Sequence, residues 1–235
     1  MARRRFFVDE VHSGRARIQG EDAQHLTRVL RVEAGQRFEI SDNTHVYLAD
    51  VTSARKDLVE FDIVEKLPVA EPGVRVTLYA SLIKFERLEW LIEKATELGV
   101  ERIALVDAER SEKGLAAAAG KRLPRWRKIA REASEQSRRA HLPVLEGPLR
   151  LTEAIRAAIG ARYALEELPG APPLLKTPGA EVSLLVGPEG GWSDRDRAGF
   201  MDAGWTPVSL GSLVLRTETA AIAALATINS AQYYT

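Results

Sequence analysis

Two short stretches hold the residues that can do chemistry. The first, LLVGPEGGWSDRD at residues 184–196, runs from an apolar stretch into a loop almost bare of side chains. Its glycines, Gly187, Gly190 and Gly191, let a ligand lie against backbone and permit positive φ. Ser193 with Asp196 three residues on fits a capping box, so a helix begins where the loop ends. The second stretch, SLGSLVLRTETAAIAALA at residues 209–226, follows the same order of strand, glycine, loop and helix. It brings Arg216, Thr217, Glu218 and Thr219 to a helix start. A capping Thr217 and a Glu218 that complements the helix dipole explain two of these residues but leave Arg216 and Gly211 unexplained. Two such loops at neighbouring strand ends make a pocket at the carboxyl edge of an α/β sheet, where such folds bind ligands. Neither loop is a P-loop or a GxGxxG turn.

The elements that must position these loops are legible around them. Residues 1–68 alternate short β-like runs with turns: RFFVD, ARIQ, QRFEIS, VYLADV and LVEFDIVE. One helix, EDAQHLTRVLR, interrupts them. This predicts a small β-rich domain, a barrel. KLPVAEPGV reads as a linker. From residue 73 to 235, strands alternate with helices. The expected strands are VRVTLYASL, VERIALVD, ARYALEE, VSLLVG and TPVSLG. The expected helices are RLEWLIEKATELG, residues 122–139, LTEAIRAAIG, DRDRAGFMDAG and a last one from Glu218 to Tyr233. That alternation predicts a mostly parallel sheet covered on both faces.

Composition narrows the function classes. The chain has 235 residues, 45% of them hydrophobic, enough for a core without staples. It has no cysteine, which excludes disulfides, a thiol nucleophile and Cys-ligated zinc, and its four histidines form no metal-binding pattern. No apolar run approaches the roughly 20 residues that span a bilayer, and Asp9 and Glu10 interrupt any signal-like start. The expectation is a soluble cytoplasmic protein. Net charge is zero, yet Lys121 to Arg139 holds eight Lys or Arg against two Glu. Such a patch points to a polyanionic partner, or else to a solvated helix face.

VGPEGGWS and LGSLVLRTETA resemble the two signature loops of the RsmE family, bacterial enzymes of the SPOUT superfamily that methylate uridine N3 in 16S ribosomal RNA. The likeness extends through HLTRVLRVEAGQ, EKATELGVERI, ERSE and RWRKIAREASEQSRR. It implies an N-terminal PUA-like RNA-binding β-barrel, residues 1–68. A SPOUT domain, residues 73–235, would follow, trefoil-knotted around a mostly parallel sheet. It also implies a homodimer, and S-adenosylmethionine held by Leu165, Gly187, Pro188, Gly190, Gly191, Leu210, Gly211, Leu215 and Thr219. Three positions depart from the family's pattern. Leu213 stands where an Arg is usual, Arg138 where EQSGR has its glycine, and Phe85 follows Lys84.

The implied chemistry gives the polar residues roles. Uracil N3 must lose a proton before it accepts a methyl. A guanidinium is a poor base, but Arg216 suits the stabilisation of a uracil anion. Glu218 suits acceptance of the proton, directly or through water, or else the orientation of Arg216. N3 is hidden by base pairing, so the target is unpaired or flipped. Phosphate contacts would come from Arg3, Arg4, Arg5, Arg28 and Arg31, and from Lys84, Lys128, Arg131, Arg138 and Arg139. Two alternatives stay open: a SPOUT enzyme acting on a ribose 2′-hydroxyl or a tRNA base, and a non-catalytic RNA-binding ribosome-assembly protein. The intact RTET stretch argues against the second.

Overall fold

A computed structural model describes residues 4–70, 72–168, 170–174 and 179–230. Among them the chain splits into two compact units, Met1–Glu71 with Ser134–Leu142, and Pro72–Ala133 with Pro143–Thr235.

The first unit carries β1 (Arg5–Phe7), β2 (Val11–His12), β3 (Arg15–Gln19), α1 (Gly20–Arg28), β4 (Arg37–Ser41), β5 (Val46–Arg55) and β6 (Leu58–Leu67). They form a six-stranded sheet in the order β1-β4-β5-β6-β3-β2. β1 runs parallel to β4, and the other neighbours are antiparallel. The expected barrel is therefore corrected to an open, mixed sheet. Closure needs the two edge strands to pair, and here three-residue β1 and two-residue β2 end the sheet on opposite sides. Alternation sets the buried face: in β3, Ala16 and Ile18 point inward between exposed neighbours. They meet Phe6, Ile40, Val59 and Phe61, with Ala23 and Leu26 of α1 closing the core.

The segment Ser134–Leu142 is bound into this unit by polar contacts. Arg5 donates from Nη1 to the Arg138 carbonyl at 2.6 Å, and Ser41 Oγ donates to the Ala140 carbonyl at 2.6 Å. The Leu142 N–H donates to Asn43 Oδ1 at 2.7 Å.

The second unit is α/β. Its strands are β7 (Arg75–Ser81), β8 (Arg102–Asp107), β9 (Val144–Arg150), β10 (Ala161–Leu165), β11 (Glu181–Val186) and β12 (Thr206–Val208). Its helices are α2 (Phe85–Glu97), α3 (Leu115–Gln136, whose last residues fall in the first unit), α4 (Leu151–Ala157), α5 (Asp194–Asp202) and α6 (Thr217–Ser230). The sheet order is β12-β10-β11-β7-β8-β9, and every pair is parallel. Side chains alternate between two cores. On β11, Val182, Leu184 and Val186 meet the core that holds Leu88, Ile92 and Leu225 of α2 and α6. Leu185 points the other way, toward Trp192, Phe200 and Trp205.

Three expectations about elements change. β9 was not foreseen, because Gly147 and Pro148 sit in its middle; as an edge strand it tolerates a proline that an inner strand would reject. The helix expected at 122–139 spans Leu115–Gln136, with Pro124 inside it. The last helix starts at Thr217, and its expected end at Tyr233 lies outside the described residues.

Gly160, just before β10, sits at φ +68, and a Cβ there would overlap the Glu181 carbonyl. The left-handed backbone costs a non-glycine residue roughly 1–2 kcal/mol, and overpacking adds about as much. Gly160→Ala should therefore lower the unfolding free energy by about 3 kcal/mol, read as a lower urea midpoint at unchanged slope.

Candidate functional site

Because β10 lies between β12 and β11, three strand ends stand side by side. Leu165, Val186 and Val208 are their last residues. The loops that leave them line one open cleft, at the strand edge where such sheets bind ligands. Leu165, Glu166 and Glu167 line it from β10; Gly187, Pro188, Gly191 and Trp192 from β11; Ser209, Leu210, Gly211, Leu213 and Leu215 from β12. Seven of the nine residues expected at a cofactor are thus brought to one cleft. Gly190 is not among its lining residues: it lies against Arg110, whose Nη1 donates to its carbonyl at 3.3 Å. Thr219 is also absent from the lining and is exposed on α6.

The bare loop is shaped by what packs against it. A Cβ at Gly187 would come within 3.0 Å of the Trp192 ring. That indole is buried and donates from Nε1 to the Leu165 carbonyl at 2.9 Å, tying the β11 loop to the end of β10. Gly191 sits at φ +67, a left-handed backbone that favours glycine, with the Glu167 carboxylate 3.1 Å from where its Cβ would be. Arg197 of α5 clamps the same corner. It donates to both Glu166 oxygens at 2.7 and 3.2 Å and to the Trp192 carbonyl at 2.8 Å. The hydrogen bonds to Glu166 lift the Arg197 guanidinium above its ordinary value. At the start of α5 the capping box is formed: Ser193 Oγ accepts from the Asp196 N–H at 3.1 Å, and Asp196 accepts from the Ser193 N–H at 3.3 Å. Ser193 Oγ in turn donates to Glu109 at 2.8 Å.

The polar set at the start of α6 divides. Thr217 is buried and donates from Oγ1 to the Gly187 carbonyl at 3.0 Å, so its hydroxyl joins the two loops. Arg216 is exposed, and its guanidinium has no hydrogen-bond or ion-pair partner among the described residues. Glu218 is only 6% exposed, and its Oε2 is buried without a hydrogen-bond partner. The cation it faces is Arg87 of α2, with Nε 3.9 Å from Glu218 Oε1. Arg87 also donates to Glu189 in the glycine loop. Nothing in the sequence signals Arg87, which stands 102 positions from Glu189 and arrives only through packing of α2 on α6. Trp192 and the two glutamates after β10 are likewise site residues that spacing alone does not single out. The adjacency of Trp192 to Gly191 was the available sign.

The expected RNA contacts separate by what they touch. Arg3 lies outside the described residues. Arg4, Arg28, Arg31 and Lys84 are exposed. Arg5 is not presented to solvent: its side chain is 13% exposed and pairs with Glu39 at 2.7 Å. Arg138 reaches the same carboxylate at 3.2 Å, and Arg139 donates from Nε to the His141 carbonyl at 3.1 Å. Arg5 therefore serves the interior of the first unit, while Arg138, with 43% of its side chain exposed, pairs with Glu39 from the surface. Among the described residues no cluster of His, Cys, Asp or Glu could hold a metal, and no helix is long and apolar enough to cross a membrane.

Comparisons with known proteins place this architecture. Residues 70–229 match the model of an RNA methyltransferase domain, and residues 18–64 that of an RNA methyltransferase PUA domain. The chain is an RNA methyltransferase with an N-terminal PUA domain. It is 31% identical to the ribosomal RNA small subunit methyltransferase E of Mycobacterium tuberculosis, covering 95% of this chain and 90% of that protein. It is 30% identical to the Aquifex aeolicus protein of that name, covering 92% and 95%. The chain belongs to the ribosomal RNA small subunit methyltransferase E family. Among solved structures it resembles the Neisseria gonorrhoeae enzyme of that name bound to S-adenosyl methionine, with TM-score 0.87, 29% identity and 96% coverage of each chain. A Legionella pneumophila putative methyltransferase in complex with the same cofactor aligns with TM-score 0.88, 29% identity and 98% coverage of each chain.

The Glu166–Arg197 clamp should be measurable. Glu166→Gln leaves a largely enclosed guanidinium with a weaker partner, a loss of about 1–3 kcal/mol in unfolding free energy. Paired with Arg197→Gln, the double variant should lose less than the sum of the two single losses.

Proposed function

We propose that this protein transfers the methyl group of S-adenosylmethionine to N3 of a uridine in 16S ribosomal RNA, in the cytoplasm. The observation that carries the reading is the cleft itself, walled by loops at three adjacent strand ends and lined from α6 by Thr217, whose chain neighbours Arg216 and Glu218 stand next to the lining rather than in it. The residues present fit the cofactor. Gly187 and Gly191 leave backbone bare at the cleft, and Leu165, Leu210 and Leu215 offer apolar surface to an adenine-sized group. When bound, the cofactor supplies an electrophilic methyl on a sulfonium, which becomes a thioether as the methyl leaves.

The chain's own groups would do the rest. Arg216 has no partner among the described residues to compete for it, and its fixed charge favours the uracil anion over the neutral base. Glu218 Oε2 is buried and has no hydrogen-bond partner among the described residues, so it would take the N3 proton through a water, or directly once the RNA seats. Arg4, Arg28, Arg31 and Lys84, all exposed, would meet phosphates, and the unpaired or flipped target is the RNA feature they would position. We further infer a homodimer and a trefoil knot around the β12 loop. Leu213 and Val214, 80% and 76% exposed beside the cleft, support the first; the second is what the family resemblance implies.

The deciding experiment is nucleoside mass spectrometry of 16S ribosomal RNA after reaction. A 3-methyluridine is expected; a 2′-O-methyl product or none would overturn the assignment. Gly191→Val and Gly211→Val should abolish cofactor binding by calorimetry while circular dichroism is retained. Arg216→Ala should keep cofactor affinity within a few-fold and lose turnover by roughly 100- to 1,000-fold, the scale of removing one preorganised donor. Arg216→Lys should recover only part, because a point charge does not match a planar fork.

A further inference from the structure

We infer that Arg87 is a positioning residue for methyl transfer. It holds the buried Glu218 carboxylate and, through Glu189, fixes that carboxylate's place against the glycine loop. The inference rests on the reading of Glu218 as the proton acceptor.

A carboxylate at 6% exposure is costly unless a charge or donors compensate it. For Glu218 the compensation is sparse. Among the described residues Oε2 has no hydrogen-bond partner, and the cation paired with Oε1 is Arg87, 3.9 Å away. The start of α6 adds only partial positive charge. Arg87 belongs to a different element, α2, and packs in by tertiary contact of α2 with α6. It is shared: it donates to Glu189 in the middle of the loop between Gly187 and Gly191. Thr217, next to Glu218, is bonded to the first residue of that loop, Gly187. The first turn of α6 is thus fastened to the loop twice, once through a hydroxyl and once through Arg87. The spacing between acceptor and cleft wall is set by these two links. Neither Arg87 nor Glu218 lines the cleft, but Glu218 adjoins the lining residue Thr217 whereas Arg87 stands on α2, so Arg87 acts through Glu218.

The test is a double-substitution cycle on turnover with small-subunit ribosomal RNA, in the full chain. Arg87→Gln should lower kcat at least ten-fold while KM for RNA and S-adenosylmethionine affinity stay within about three-fold. Arg87→Lys, which keeps the charge, should recover kcat to within about three-fold of the parent. In a Glu218→Gln background, Arg87→Gln should change kcat less than two-fold, because the group it positions is already neutral. Equal losses in both backgrounds would overturn the inference, as would a loss confined to KM or cofactor affinity, or full turnover of Arg87→Gln. If Glu218→Gln alone keeps full turnover, the reading of Glu218 fails and the inference with it. If Glu218→Gln loses turnover and Arg87→Gln does not, the inference alone fails.

Discussion

The parallel pairing of β10 between β11 and β12 is the constraint on which the rest depends. Parallel strands put all their carboxyl ends on one edge, and this order makes three of those ends neighbours. Each then releases a loop into the same small volume. A cleft built this way offers backbone groups at fixed positions without needing side chains to reach across it. The cost is that the loops must be held from behind. Trp192 does this from the β11 side, filling the space that Gly187 leaves open and bonding to the Leu165 carbonyl. Arg197 does it from α5, gripping Glu166 and the Trp192 carbonyl together.

Charge is distributed by the same economy of placement. The net charge of zero conceals guanidinium groups with opposite tasks. Arg5 and Arg138 converge on Glu39 and hold Ser134–Leu142 to the first unit's sheet. Arg197 and Arg87 brace loops of the second. Arg216, by contrast, projects without an internal partner among the described residues. A guanidinium already committed to a carboxylate has little left for a phosphate or a developing oxyanion. Partner geometry therefore separates structural from available arginines better than sequence clustering does.

The chain's local code was readable to a considerable depth. Apolar spacing located α2 with its inward Leu88, Leu91, Ile92 and Ala95, and the run from Val182 to Val186 announced a doubly buried strand. The Ser193–Asp196 box marked the start of α5 to the residue. These signals are local because helix period, strand alternation and caps depend on neighbours a few positions apart. β9 escaped because its glycine and proline are turn residues by local rules, tolerated only at a sheet edge that the sequence does not label. The barrel expectation failed for a related reason: short alternating strands suit a closed sheet and an open one equally, and only edge pairing distinguishes them.

By itself, the sequence determined that two glycine loops end apolar strands, that helices follow both, and that Arg216, Thr217 and Glu218 stand at the second helix start. Tertiary structure decided which of these face one another. It sent the Thr217 hydroxyl to Gly187, left Arg216 unpartnered, and gave Glu218 a guanidinium from α2. It also drew Ser134–Leu142 into the first unit. The physical reason is range. Capping and amphipathicity are written in contacts of three or four positions, whereas the partner of a buried charge is set by strand order and helix packing, which bring together residues more than a hundred positions apart.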